Sequence, residues 1–284
     1  MEYIGRFAPS PTGPLHFGSL VVALASYLDA RKHNGQWLLR IEDLDPPRES
    51  HSAPAEIMRQ LTAFGLQWDG EALFQSTRLD TYSKNLQLLQ NARLLFPCTC
   101  KRQPGPYKGA CRHKSFSDVA EPYAVRVLTK DQRIQFDDLI YGKQYSFPDQ
   151  EVGDFVVRRK DGLHAYQLAV IVDDAFQGIT HVIRGSDLLD STPRQILLAQ
   201  YLALSVPTYG HIPVVLGKDG HKLSKQSHAM PVDTDRPLAV LRQALQTLGQ
   251  APQRAATTVS SLLRQATKAW DLARVPREST YYSA

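Results

Sequence analysis

One histidine, His16, stands inside PTGPLHFGSL (11–20), a stretch that also carries two glycines and two prolines and runs straight into an apolar helical pattern. A glycine-punctuated turn at a helix mouth can aim backbone N–H groups at a phosphate, with the imidazole as a further contact. The same composition also suits an ordinary strand-to-helix connection. Far downstream, VVLGKDGHKLSKQSHAMP (214–231) sets Lys222 and Lys225 three residues apart, with Ser224 and Ser227 beside them. Lysines on a Gly-flanked loop can neutralise the charge of a departing polyphosphate without rigid geometry. A solvated basic loop would carry the same residues.

The cysteines form a third constellation. Cys98 and Cys100 are spaced C-x-C, and Cys111 follows eleven residues later, in the turn-rich basic stretch PCTCKRQPGPYKGACRHKS. No apolar period explains them there. Three thiols suit a structural zinc, which takes four ligands, and by chemistry alone His113 is the candidate fourth.

These groups need elements to position them. YIGRFAP reads as a first strand ended by proline. SLVVALASYLDARKHNG has Leu20, Leu24 and Leu28 at helical spacing, a basic last turn, and Gly35 as its C-cap. QWLLRIED then reads as a buried strand. The three make a βαβ unit whose first loop lies at the C-terminal end of a strand, the edge where open α/β sheets bind ligands. SAPAEIMRQLTAFG and TRLDTYSKNLQLLQNARLL read as two more helices. Near Phe96 the pattern changes to short strands and hairpins: YAVRVL, IQFDDLIYGKQYSF, and DFVVRRKDGLHAYQL turning at Asp161-Gly162. YQLAVIVDDAF resumes as helix and ITHVIRG as strand. In DSTPRQILLAQYLALS, Thr192 is the expected N-cap, with Pro193 at the first helical position. The expected fold class is α/β, a parallel sheet interrupted by a β-rich insertion.

The 284 residues are 43% hydrophobic and 21% charged, the balance of an ordinary globule with room for a large core. No apolar run approaches membrane length, and MEYIGRFAPS lacks the basic leader and apolar run of a signal peptide. Three cysteines argue against a disulfide framework, so a reducing, cytoplasmic setting is expected, with no membrane partner. The net charge of +5 permits a polyanionic partner without requiring one. From Arg236 onward, Asp271 and Glu278 face Arg242, Arg254, Arg264, Lys268, Arg274 and Arg277. That basic tail suits an RNA surface, although a solvated helix face would look the same.

Together, His16-Phe17-Gly18-Ser19 and Lys222-Leu223-Ser224-Lys225-Gln226 resemble the paired signature of class I aminoacyl-tRNA synthetases. RFAPSPTGPLH resembles the glutamyl branch of that class. DGLHAYQLAVIVDDA and HVIRGSDLLDSTPRQ resemble its short paralogues, which glutamylate queuosine in tRNA(Asp). The resemblance runs from about Arg6 to Met230. It implies a Rossmann-type catalytic domain in two halves (1–95 and 164–207), a zinc-bearing β-rich insertion (96–163), and a second-motif loop with a small C-terminal helical, RNA-stem-contact module (208–284). It also implies a monomer that uses L-glutamate, ATP with Mg2+, and queuosine-containing tRNA(Asp).

The residue roles follow from the resemblance. Arg6 and Arg184 pair the glutamate side-chain carboxylate, since guanidinium binds carboxylate bidentately. Glu42 takes the ammonium and Tyr166 a further hydrogen bond, with Ala8 and Ser10 in the same pocket. His16, Gly18, Lys222 and Lys225 hold ATP, His16 and Lys225 acting in catalysis. Phe17 and Gln226 replace residues more usual in the two motifs, and neither change removes a charge. Asp43, Asp45, Asp173 and Asp174 lie near the same edge without an assigned role. For the metal the family pattern names Tyr107, not His113, beside Cys98, Cys100 and Cys111. Only 58 residues follow Gln226, too few for the anticodon-binding region of the longer synthetases. The competing readings are a truncated synthetase charging the 3′ end of tRNA(Glu), and a silent RNA-binding paralogue.

Overall fold

The computed structural model describes residues 2–101, 104–217, 220, 230–251, 253 and 255–281. Its first elements are the βαβ unit: β1 (Ile4–Phe7), α1 (Phe17–Lys32) and β2 (Gln36–Ile41), with β1 and β2 parallel and Arg6 opposite Leu38. Leu20, Leu24 and Leu28 are fully buried in one core with Trp37, Leu39 and Ile41. Each such burial contributes about 1.5–3 kcal/mol relative to exposure, which is what holds α1 against the sheet. The end of α1 corrects one expectation. Asn34, not Gly35, takes the left-handed conformation, at φ 55°, which asparagine tolerates. Gly35 serves a close approach instead, because a Cβ there would come within 2.2 Å of the Tyr3 carbonyl oxygen.

After α2 (Ala53–Ala63), β3 (Leu73–Phe74) adds to the edge of β2, and α3 (Leu79–Asn91) follows. The β-rich stretch divides between two sheets. β4 (Leu95–Cys98), β5 (Ala124–Val127) and β8 (Phe155–Arg158) form an antiparallel sheet of their own. Between them, β6 (Ile134–Asp138) and β7 (Gly142–Ser146) make a hairpin, and a single turn, α4 (Pro148–Glu151), leads on to β8. The turn at Asp161-Gly162 is as expected: Gly162 has φ 90°, and Arg159 N–H donates to Leu163 O at 2.7 Å.

α5 (Tyr166–Phe176), β9 (His181–Gly185), α6 (Thr192–Tyr201) and β10 (Thr208–Ile212) return to the α/β pattern. β9 and β10 are parallel, and the β6–β7 hairpin joins their far side, giving the order β7-β6-β10-β9. Thr180 N–H donates to Ile4 O at 2.9 Å, which sets β9 beside β1. A second correction falls here. Ser191, not Thr192, precedes α6, and Pro193 sits within its first two positions. The Thr192 hydroxyl is drawn sideways, donating to Leu188 O at 3.2 Å and accepting from Arg184 at 2.8 Å.

Past β11 (Val215–Leu216), α7 (Pro237–Thr247) and α8 (Val259–Ala269) place Leu241, Leu245 and Leu262 in the same core as α1. β12 (Thr280–Tyr281) pairs with β11. The C-terminal helices are thus part of the main body. Among the described residues, no helix is long and apolar enough to cross a membrane.

Candidate active site

A cavity of about 770 Å³ is lined by Arg6, Ala8, Ser10, His16, Gly18, Glu42, Tyr166 and Arg184. All eight described residues expected for the amino acid and ATP therefore meet in one place. The charged ones come from strand ends: Arg6 near the end of β1, Glu42 just past β2, Arg184 near the end of β9. Lys222, Ser224, Lys225 and Gln226 lie outside the described residues. Their neighbours do not. His16 pairs with Pro231 in an isolated antiparallel bridge, Val232 N–H donates to Leu15 O at 2.9 Å, and Val215 lines the cavity.

His16 caps α1. Its backbone is extended, and its Nδ1 accepts the Ser19 N–H at 3.2 Å. Capping by a ring favours glycine two residues on, because a Cβ on Gly18 would sit a tight 3.2 Å from Nδ1 and 3.3 Å from Cε1 of His16. With Gly18, Ser19 and Val22 on the cavity wall, the positive end of the α1 dipole faces the space beside them.

Two buried ionic networks flank the cavity. In one, Asp174 Oδ1 accepts from Arg6 Nε at 3.2 Å and from Arg40 Nη2 at 2.7 Å. Burial opposes ionisation of Asp174, but the two arginines prevail and hold its carboxyl below the usual range. Glu42 Oε1 lies 3.6 Å from the same Arg40 Nη2, and this buried oxygen accepts no hydrogen bond from the described residues. Burial pushes its carboxyl up to about 7 despite Arg40 and Arg6.

In the other network, Arg184 Nε donates to His211 Nε2 at 3.0 Å and Nη2 donates to Thr192 Oγ1 at 2.8 Å. His211 Nδ1 lies 2.6 Å from Asp138 Oδ2. The remaining nitrogen, Arg184 Nη1, is buried with no described partner. An unpaired buried donor of this kind costs free energy unless a ligand satisfies it. Tyr166 opens α5 nearby, and burial raises its hydroxyl above the ordinary range. A buried acid, two buried guanidiniums and a helix N-terminus can together hold a zwitterion with an acidic arm next to a phosphate.

The three cysteines also converge. The sulfurs of Cys98, Cys100 and Cys111 all lie within 4.8 Å of one another, Cys98 and Cys111 being buried. Sulfurs bound to one zinc at about 2.3 Å stand at comparable separations, so the donor set fits that ion. The structure brings Tyr107 to them: its hydroxyl lies 3.6 Å from Cys98 Sγ and accepts the Cys111 N–H at 2.8 Å. The Arg126 guanidinium covers the Tyr107 ring at 4.0 Å, and without a metal, burial and the Cys111 and Cys98 thiols hold the phenol above its ordinary range. His113 is exposed and does not join the cluster. Burial works against the Cys111 thiolate, yet hydrogen bonds from Tyr107, the Thr99 backbone and the other two thiols bring its thiol down to about 6.

The family described as tRNA synthetases class I (E and Q), catalytic domain, matches residues 4–104 and 107–262. The chain belongs to this family. Among full-length relatives, it is 47% identical to a protein of Pseudomonas fluorescens named Glutamyl-Q tRNA(Asp) synthetase, over 97% of this chain and 94% of that one. A Pseudomonas aeruginosa protein of the same name is 45% identical, over 98% of this chain and 97% of its own. Of solved structures, a glutamate tRNA ligase from Elizabethkingia meningosepticum in complex with its amino acid superposes with a TM-score of 0.82 at 25% identity. That match covers all of this chain and 68% of the ligase.

For a class I synthetase of this family, the residues around the cavity that sequence reading missed are partners rather than contacts. Asp174, which the sequence leaves without a role, anchors Arg6 and Arg40. Its neighbour Asp173 points the other way, accepting from Gln75, Arg78 and Tyr82 and so tying α3 to α5. Asp138 and His211 belong to no motif in the sequence. Each is one polar residue among others in its strand, IQFDD and TYGHI, so no local signal marks it.

Proposed function

We propose that this chain activates L-glutamate with ATP as glutamyl-adenylate and transfers the glutamyl group to queuosine in the anticodon of tRNA(Asp). The observation that carries the reading is the charge pattern of the cavity, a carboxylate on Glu42 whose side chain is only 9% exposed and two buried guanidiniums on Arg6 and Arg184, complementary to an amino acid with an acidic side chain. The acceptor is supported by the Pseudomonas relatives, whose name specifies it and whose length this chain spans almost entirely.

Arg6 and Arg184 take the side-chain carboxylate, Arg184 through Nη1. Glu42 takes the ammonium, Tyr166 adds a hydrogen bond, and Ala8 and Ser10 complete the wall. Activation then needs no protein nucleophile. An oxygen of the substrate α-carboxylate bonds to the α-phosphorus as the bond to the bridging oxygen breaks, and pyrophosphate leaves with that electron pair. A hydroxyl of the queuosine diol next attacks the carbonyl carbon, losing its proton as AMP departs. The protein supplies positioning and charge stabilisation. His16, Gly18 and the N-terminus of α1 hold the phosphates. Lys222 and Lys225 draw off the pyrophosphate charge, a role supported by Val215 and Pro231, on either side of that segment, lying against the His16 turn. Magnesium bound with ATP neutralises phosphate charge. Cys98, Cys100, Cys111 and Tyr107 hold one zinc, which shapes the arm between β4 and β5 and takes no part in the reaction.

The test is labelled glutamate offered with ATP to tRNA(Asp) whose 3′ ribose is chemically blocked, with and without queuosine, and to tRNA(Glu). Label on the blocked, queuosine-containing tRNA(Asp) alone is expected. Better labelling of tRNA(Glu) would establish the 3′-charging alternative, and no glutamate-dependent ATP–pyrophosphate exchange at all would leave an RNA-binding paralogue.

A further inference from the structure

The hydrogen-bond count around Arg184 is closed on every side but one. Nε is taken by His211 and Nη2 by Thr192, with Leu188 O also within 3.4 Å, leaving Nη1 as the buried donor without a described partner. The aim of Nη1 is therefore set by what grips the other two nitrogens. His211 can accept from Arg184 Nε only if its Nε2 carries a lone pair, so its one proton must be on Nδ1. Asp138 enforces that choice. Its Oδ1 already accepts the backbone N–H groups of Ile140, Tyr141 and His211 at 3.0, 2.9 and 3.3 Å, which leaves Oδ2, 2.6 Å from Nδ1, as a pure acceptor for the imidazole.

We infer that Asp138 and His211 are positioning residues: the Asp138 carboxylate locks His211 in its Nδ1–H tautomer, and that tautomer directs the free edge of Arg184 at the acidic arm of the substrate. The inference rests on the glutamate-binding reading of the cavity. Asp138 and His211 are fully or nearly fully buried, and Tyr209 stacks on His211 at 6.1 Å. Burial, together with Arg184 and Arg6, keeps the imidazole neutral against the pull of Asp138. A charged ring would point an N–H at the Arg184 N–H. Asp138 arrives from the β6–β7 hairpin, so a segment remote in sequence sets the geometry of a β9 side chain.

Asp138→Asn separates this role from packing. The three backbone donors require the amide oxygen at the Oδ1 position, so the amide nitrogen must face His211 Nδ1. The imidazole then carries its proton on Nε2, donates to Thr192 Oγ1, which lies 3.1 Å away, and abandons Arg184 Nε. An isosteric change thus inverts a donor–acceptor pair, as loss of an orienting carboxylate does in a catalytic triad. His211→Gln offers an amide oxygen in place of Nε2 and has no tautomer to invert.

The first measurement is independent of any substrate. In protein labelled with ¹⁵N-histidine, two-bond proton–nitrogen correlations, assigned by the signal absent from His211→Gln, should report Nδ1–H for wild type and Nε2–H for Asp138→Asn. The second is glutamate-dependent ATP–pyrophosphate exchange. Asp138→Asn should raise the glutamate KM about 10- to 100-fold, the worth of one charged hydrogen bond, and leave the ATP KM within about two-fold. The double variant Asp138→Asn/His211→Gln should recover most of that loss. A wild-type Nε2–H tautomer, or a double variant no better than Asp138→Asn, overturns the positioning role. Absence of glutamate-dependent exchange in the wild type would instead count against the substrate, with the tautomer still read directly. Should Asp138→Asn not fold, the wild-type tautomer alone decides.

Discussion

Arg40 Nη2 stands 3.6 Å from Glu42 Oε1, an ion pair too long for a hydrogen bond, while the same nitrogen donates to Asp174 at 2.7 Å. Burial holds the Glu42 proton up to about 7, although Arg40 and Arg6 pull the other way. In the proposed reading a substrate ammonium supplies the close partner that Oε1 lacks among the described residues.

The pH dependence follows in sign. Glu42 carries charge above about 7 and a proton below it. As pH falls from 8 to 5.5, the glutamate KM should rise, approaching about ten-fold per unit once Glu42 is mostly protonated. kcat at saturating glutamate should stay level over the same range, since the bound ammonium pulls the Glu42 proton off. Glu42→Gln should show a high KM that no longer varies across this window. A level wild-type KM profile between pH 5.5 and 8 would rule the pairing out.

Asp174 joins two arginines that are 4% and 0% exposed. Asp174→Ala should lower stability by about 3–5 kcal/mol, because both guanidiniums remain buried with their shared partner gone. Glu56→Ala breaks an exposed pair with Arg59 and should leave the urea midpoint where it was. Equal midpoints for the two variants would show that the Asp174 network carries no such weight.

Elemental analysis of freshly purified, untagged protein should find a single zinc per chain. The thiolates must shed protons to bind, so metal should be lost as pH falls or on chelation. Tyr107→Phe should retain less zinc than wild type and His113→Ala as much. The reverse order would make His113 the fourth ligand.

Lys225→Ala should cut glutamate-dependent exchange by about 10²–10³-fold, the loss seen for removal of one charge-stabilising donor. Thermal unfolding of this variant should match wild type. Exchange near the wild-type rate would remove Lys225 from the reaction.

What the sequence determined by itself is what neighbouring residues determine together. The His16 turn, the βαβ unit, the spacing of Leu20, Leu24 and Leu28, and the Asp161-Gly162 turn all depend on contacts within a few residues or on a regular period. The residues that line the cavity are legible through motifs, since Arg6, Ser10 and His16 lie in one short stretch. Other features needed the folded chain. Asp174 meets Arg6 across 168 residues and Asp138 meets His211 across 73. No period carries such a pairing, because it depends on which strands become neighbours after the crossovers are made. The β6–β7 hairpin reads locally like any other, and only its place beside β10 turns Asp138 toward the site. Thr192 looked like a cap for the same reason: its local signal was sound, but buried Arg184 offered its hydroxyl a partner from another strand. Inside a protein an unpaired guanidinium is costly enough to outweigh a cap, and only tertiary structure reveals which polar groups are buried together.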